Sequence, residues 1–171
     1  MKTIFNASLM FLFVAALISS CEKKDDKNLH EALSKEEYAK MVSITEGIWG
    51  AVLFLEGDHM PGPGGPSGKT YGVRREILVY EPVTMFQAEP VEKDGSEFYV
   101  SVPTRLIKSV QSDDNGFYQF NLPPGIYSLF VKEKGFLYQT FTGYNGYLGE
   151  VVVNANAATE MSLKITYAAA F

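Results

Sequence analysis

A chain of 171 residues with 15 basic and 20 acidic side chains, net −5, suffices for one folded domain of ordinary size. This acidic balance, without a basic block, excludes nucleic acid as an electrostatic partner and excludes docking on anionic lipid by charge. The single cysteine, Cys21, excludes a disulfide framework.

The N-terminus is read first. Lys2 is followed by an apolar stretch from Leu9 to Ile18 and then by Ser19-Ser20-Cys21. A charged start, a short apolar core and small residues at its end read as a secretory signal over residues 1–20. The core is shorter than the roughly 20 apolar residues needed to cross a bilayer. "LISSC" resembles the bacterial lipobox, which implies that Cys21 is acylated and becomes the first mature residue; the alternative is an ordinary signal with a chance cysteine. Acyl chains, each CH₂ contributing about 0.8 kcal/mol when buried, would tether the protein to a membrane without spanning it. Loss of Lys2 with the signal leaves 14 of the 15 basic residues against 20 acidic ones, a net −6. Lys24-Asp25-Asp26 is similar to the short Lys/acidic export tag of surface lipoproteins of Bacteroidota, which implies an outer-membrane location facing the cell exterior. The alternative is a solvated linker, the usual role of a charge run.

Residues 21–46 are charged and polar and read as a tether. Within it, Ser34-Lys35-Glu36-Glu37 fits a capping box and predicts a short helix through about Met41. Its apolar face, Leu33, Met41 and Val42 with Tyr38, lies either on the following domain or in solution, where so short a helix is marginal.

From Gly47 the pattern changes. "IWGAVLFLEGD", "REILVYEP", "SEFYVSVP", "RLIKSVQS", "FYQFNL", "IYSLFVKEKG", "YQTFTGY", "GEVVVNA" and "TEMSLKITYAAAF" are β-rich runs separated by Gly, Pro, Asn and Asp. That spacing predicts an all-β fold over residues 47–171, a sandwich or a barrel. In "SEFYVSVP", Phe98, Val100 and Val102 share one face and Tyr99 and Ser101 the other.

One loop imitates a nucleotide site. "PGPGGPSGKT", residues 61–70, ends in Gly68-Lys69-Thr70 as a phosphate-binding loop does. Pro63 stands where that loop needs its first glycine, and Pro63 and Pro66 remove the backbone N–H groups that would cradle phosphate. A strand reads next, in place of the helix whose N-terminus supports the anion. Nucleotide is therefore excluded, and residues 61–70 are expected to be a flexible surface connection between the first two strands.

"SDDNGFYQFNLPPGIYSLFVKEKGF", residues 112–136, is the most specific stretch. Asn115-Gly116 predicts a hairpin turn stiffened by Asp113 or Asp114. Period two places Tyr118, Phe120 and Leu122 inward and Phe117, Gln119 and Asn121 outward. Pro123-Pro124-Gly125 predicts a sharp reversal, with glycine freeing the backbone, and Tyr127, Leu129 and Val131 continue inward on the next strand. Asp113, Gly116, Leu122, Pro123, Gly125, Tyr127, Gly135 and Phe136 resemble the signature of the carboxypeptidase regulatory-like domain, which implies an antiparallel β-sandwich of about seven strands, transthyretin-like or Ig-like. "EGIWGAVLFLEGD" looks like the first strand of that family, so the resemblance covers about residues 47–171. It implies a non-enzymatic accessory role in binding or scaffolding, without the zinc ligands of the enzymes such domains accompany.

The residues themselves point the same way. His30, in the tether, and His59, in a loop expected to be mobile, are the only histidines. "HEALS" has Ser34 where a zinc helix needs its second histidine, and no Gly-x-Ser-x-Gly elbow occurs. "SDDN" is too short for a calcium loop and reads as a turn. No catalytic residue, metal or cofactor is expected beyond the lipid on Cys21. The functional lead is the aromatic run Phe136, Tyr138, Phe141, Tyr144 and Tyr147, which either packs the last hairpins or forms a contact platform. Tyr138, Tyr144 and Tyr147 are the binding candidates, with Tyr144 and Tyr147 expected exposed on a turn. Their partner would be a protein, including this chain itself, or a glycan captured for a neighbouring uptake system.

Overall fold

Two long strands organise the molecule, because each has more residues than any single neighbour can pair. In the computed structural model, which describes residues 30–92 and 96–171, these are Gly47–Asp58 and Gly125–Glu133. Cys21, Lys24, Asp25 and Asp26 lie outside the described residues. In chain order the elements begin with β1 (His30–Glu31), α1 (Lys35–Lys40), β2 (Gly47–Asp58), β3 (Lys69–Gly72), β4 (Glu76–Tyr80), β5 (Glu89–Pro90) and β6 (Phe98–Ser101). They continue with β7 (Leu106–Gln111), β8 (Phe117–Phe120), β9 (Gly125–Glu133), β10 (Phe136–Tyr138), β11 (Glu150–Val153), β12 (Ala158–Glu160) and β13 (Leu163–Ala170).

The first sheet is built on β2. Its first half pairs antiparallel with β8, Ile48 opposite Phe120, and its second half pairs with β3, Leu53 opposite Gly72. On the other side β12 and then β13 run parallel to it, Leu163 opposite Val52. The second sheet is built on β9, which meets β11 at its start, β4 in the middle and β10 at its end. The order β5-β6-β10-β9-β4-β7 completes it. The fold is therefore an all-β sandwich, antiparallel throughout except where β12 and β13 flank β2.

The interior holds what period two predicts. Tyr118, Phe120, Leu122, Tyr127, Leu129 and Val131 all belong to the main core cluster, together with Ile48, Val52, Ile77 and Ile165. Burying side chains of this size contributes roughly 1.5–3 kcal/mol each. Alternate residues point to the outer faces, and those faces are covered too. Leu78, Phe130 and Leu137 form a second cluster with Val83 and Leu148 outside the second sheet. Phe117 and Ala51 form a third with Tyr38 outside the first sheet. The alternation in β6 holds for Phe98, which packs on the interior, and Tyr99, which is buried in the outer cluster, but Val102, beyond the end of the strand, packs with Tyr99 instead of with Phe98.

Of the two placements open to the N-terminal helix, the structure has the docked one. Ser34 Oγ accepts from Glu37 N at 3.3 Å and Glu37 Oε2 accepts from Ser34 N at 2.8 Å, so the capping box is complete. Tyr38 stacks on Phe117 and its hydroxyl donates to Asn115 O at 2.6 Å. Ser43 N donates to Gln119 Oε1 at 2.9 Å. Packing, not helix propensity, thus holds six helical residues in place. His30, read as part of the tether, lies in β1, paired with Gly72 of β3.

The signature turns have local explanations. Asp113 Oδ1 accepts from Asn115 N at 2.9 Å and from Phe117 N at 2.8 Å, using the carboxylate to close its own turn. Gly116 has φ +83°, and a Cβ there would stand 2.4 Å from Val52 O. Gly125 corrects the expectation: it opens β9 without a positive φ, and its bare Cα leaves room for the Tyr127 ring. The Tyr127 hydroxyl then donates to Pro123 O at 2.8 Å and fixes the reversal. Two further expectations are corrected. "YQTFTGY" does not continue as a strand, because β10 ends at Tyr138. Lys69 and Thr70 begin β3, so the Gly-Lys-Thr of the proline-rich loop opens a strand.

Candidate functional site

Two loops close the outer face of the second sheet. The first leaves β4 and is pinned where Val83 N donates to the buried Ser128 Oγ at 3.0 Å. Thr84 then opens a single turn, its carbonyl accepting from Gln87 N at 3.1 Å and Ala88 N at 3.2 Å. Gln87 Oε1 accepts in return from Thr84 N at 2.9 Å and Thr84 Oγ1 at 3.0 Å, a reciprocal cap. Val83 and Ala88 point into the outer cluster, which forces Met85 and Phe86 outward.

The second loop, residues 139–149, is anchored by a buried amide. Gln139 Nε2 donates to Leu129 O at 2.6 Å, and its Oε1 accepts from Thr140 N and Phe141 N, both at 2.9 Å. Gly143 N donates to Tyr147 O at 2.9 Å, and Gly146 N to Gly143 O at 3.0 Å, making a tight hairpin with Tyr144 near its tip. The Glu150 carboxylate holds that tip, accepting from Asn145 N at 3.0 Å and Asn145 Nδ2 at 2.8 Å. The loops are joined to each other by the bridge between Thr84 and Tyr147 and by Leu148 N donating to Val83 O at 2.8 Å.

The result is a layer with a packed underside and an exposed aromatic top. Tyr144 is 102% exposed and Phe86 93%, while Met85 and Phe141 are about half exposed. Neither residues 83–88 nor residues 139–149 include a charged side chain. Met85 and Phe86 on one loop and Phe141 and Tyr144 on the other are thus apolar side chains that ordered loops leave in water.

The predicted binding tyrosines separate. Tyr144 is exposed as expected, and Tyr147 is half-buried at the seam between the loops. Tyr138 is 1% exposed and belongs to the interior, which removes it from any stacking platform. Its hydroxyl donates to Glu97 Oε2 at 2.6 Å and meets Thr166 Oγ1 at 3.0 Å. Burial, assisted by the Glu97 carboxylate, pushes its pKa up to about 12. Met85 and Phe86 were missed from the sequence. Their signal was Thr84-x-x-Gln87, a one-turn cap too short to bury both residues between its ends.

Two other clefts lie elsewhere on the molecule. One, of about 420 Å³, is lined by Val91, Glu92, Glu97, Phe98, Lys134 and Phe136. There Glu97 is engaged by Tyr138, and Lys134 Nζ lies 3.5 Å from the centre of the Tyr167 ring. Tyr167 donates to Glu133 Oε1 at 3.0 Å, and Arg75 Nε donates to Glu133 Oε2 at 2.6 Å. Burial and the Glu133 carboxylate push the Tyr167 pKa up to about 12. The second cleft borders His59, whose ring is held against Phe171 instead of sitting in a free loop. Gly68 packs on the edge of that ring, and Nε2 is buried there without a hydrogen-bond partner. Among the described residues no three His, Cys, Asp or Glu side chains are grouped to hold a metal ion.

Comparison with known protein families, curated proteins and solved structures returned no match.

Proposed function

We propose that this chain is a lipid-anchored, non-enzymatic binding or scaffolding module of the outer membrane, facing the cell exterior and related to the carboxypeptidase regulatory-like domains it resembles. The observation that carries the reading is the uncharged loop layer with Phe86 and Tyr144 fully exposed. The polypeptide that leads to Cys21 joins at β1 and α1, on the first sheet. The loop layer covers the opposite outer face of the sandwich, away from the start of the described chain.

Cys21 would carry the acyl chains, and Lys24, Asp25 and Asp26 the export signal. Metabolic labelling with a fatty acid tests the anchor: the native chain incorporates label and Cys21→Ala does not. Protease treatment of whole cells tests the orientation, since an outward-facing chain is degraded and an inward-facing one is protected. Crosslinking in intact membranes followed by recovery of the chain tests the binding role, which recovery of no crosslinked protein would overturn.

Glycan capture is the second reading, favoured by the bare rings of Tyr144 and Phe86 among Thr, Asn and Gln side chains. It would use Tyr144 and Phe86, with Tyr138 excluded by burial. Retardation of the chain in gels containing neutral polysaccharide, abolished by Tyr144→Ala, is its test.

A further inference from the structure

We propose that Asn145, at the tip of the second loop, is a self-modification site: it deamidates through attack by the Gly146 amide, and its product unlocks the loop tip from Glu150. This chemistry is independent of what the loop binds.

Asn-Gly occurs twice in the chain, at Asn115-Gly116 and Asn145-Gly146. In such a pair no Cβ shields the glycine nitrogen, and the free backbone lets that nitrogen reach the asparagine Cγ. A bond from Gly146 N to Asn145 Cγ closes a five-membered succinimide. The bond from Cγ to Nδ2 breaks, and Nδ2 leaves as ammonia with the proton that Gly146 N gives up. Solvent water then opens the ring at either carbonyl, giving aspartate or isoaspartate. The sum is amide plus water to carboxylic acid plus ammonia, with nothing oxidised or reduced.

Tertiary structure separates the two pairs. Their turn bonds are alike: Gly116 N donates to Asp113 O and Gly146 N to Gly143 O, each at 3.0 Å. Reaction therefore waits on local opening, whose cost depends on what else must give way. At Asn115-Gly116 much must. Asn115 O accepts from the Tyr38 hydroxyl at 2.6 Å, and Gly116 O accepts from Val52 N at 2.9 Å. Gly116 is also packed on the backbone of Val52 and Val73, so opening this turn disturbs the first sheet. Asn145 is exposed, and a Cβ on Gly146 would meet nothing within 4 Å. Among the described residues no hydrogen bond reaches the carbonyl of Asn145 or Gly146. The bonds from Asn145 to Glu150 lie in water. This turn can open alone.

The product changes the tip. Asn145 Nδ2 donates to Glu150 Oε1 at 2.8 Å, and deamidation replaces that donor with a second carboxylate. A hydrogen bond becomes a contact between like charges. Isoaspartate also lengthens the main chain by one carbon within the hairpin that Gly143 N closes on Tyr147 O. The neighbour released is Tyr144, the most exposed large side chain of the loop. The Gln139 anchor lies at the loop base and stays closed, so the change is confined to the tip.

Peptide mapping by mass spectrometry, after the folded full chain has aged at mildly alkaline pH, tests the proposal. Amide-to-acid conversion at Asn145 should run at least about tenfold faster than at Asn115. Enzymatic methylation of isoaspartate should label the same peptide. In urea, where tertiary protection is gone, the two rates should come within about threefold of each other. Conversion of Asn115 as fast as Asn145 in the folded chain overturns the proposal. So does an Asn145 that stays intact while the chain in urea reacts at both sites. Asn145→Asp, which reproduces one product, should speed amide exchange at Tyr144 and Gly146 at least about fivefold and leave Thr140 unchanged. Adding Glu150→Gln should reverse most of that gain by removing the like charge. Exchange in Asn145→Asp equal to that of the native chain would show that Glu150 is no lock, and would overturn the unlocking.

Discussion

On the first sheet, residues 33–42 close the outer face and turn their aromatic side chain inward: Tyr38 stacks on Phe117 and donates to Asn115 O. On the second sheet, residues 83–88 and 139–149 close the outer face with Val83 and Leu148 underneath, but leave Phe86 and Tyr144 in water. Both coverings are fixed by similar means, a reciprocal cap at Ser34 and Glu37 in one and at Thr84 and Gln87 in the other. The helix presents one stripe, which the sheet absorbs. The loops have more apolar side chains than the space beneath them, and the surplus stands outward. Covering a sheet is thus a structural task in both places, and of the two coverings the loop layer is the one that leaves large aromatic side chains in water.

The contrast can be broken most severely from beneath. Phe130→Ala empties the floor of the loop layer and should cost about 4 kcal/mol in urea unfolding, and Tyr38→Ala should cost about 3 kcal/mol on the helix side. A negligible cost for Tyr38→Ala would mean that the helix only rests on the sheet.

Alkaline pH acts on the helix side and on the interior together. Burial raises the Tyr38 pKa, and burial with neighbouring carboxylates raises those of Tyr138 and Tyr167 above the ordinary value of about 10. The folded state holds these phenols protonated, so their contribution is fully present below about pH 10 and lost as pH rises toward about 12. Urea midpoints should fall over that window, and less steeply in Tyr138→Phe. A flat profile in the native chain would refute the burial account.

Smaller changes sharpen the comparison. Gln139→Leu should cost about 2 kcal/mol by leaving Leu129 O and two loop amides without their partner. Amide exchange should then accelerate at Thr140 and Phe141 and stay unchanged at Tyr38. Tyr38→Phe removes only the bond to Asn115 O and should cost about 1 kcal/mol. Phe86→Ser should leave the urea midpoint nearly unchanged, within about 0.5 kcal/mol, as for a side chain with no structural duty.

Features that depend on a few neighbouring residues were legible in the amino-acid sequence. The β-sandwich class, the inward set Tyr118, Phe120 and Leu122, the turn at Asp113 to Gly116 and the cap at Ser34 all follow from period two, turn chemistry and capping. The proline-rich stretch was legible only in part, since Lys69 and Thr70, read as its end, open β3. What tertiary structure alone decided is which apolar residues find cover. Phe136 and Tyr138 stand two apart on β10, yet Tyr138 is enclosed by Phe98, Glu97 and Thr166 while Phe136 lies at the rim of a cleft. Phe117 points outward from its sheet and is still buried, because residues distant in sequence fold over it. Phe86, which no local pattern singled out, stands in water beside a buried Val83 and Ala88. Periodicity assigns a side chain to a face, and only the chain segments brought there by long-range pairing determine whether that face is closed.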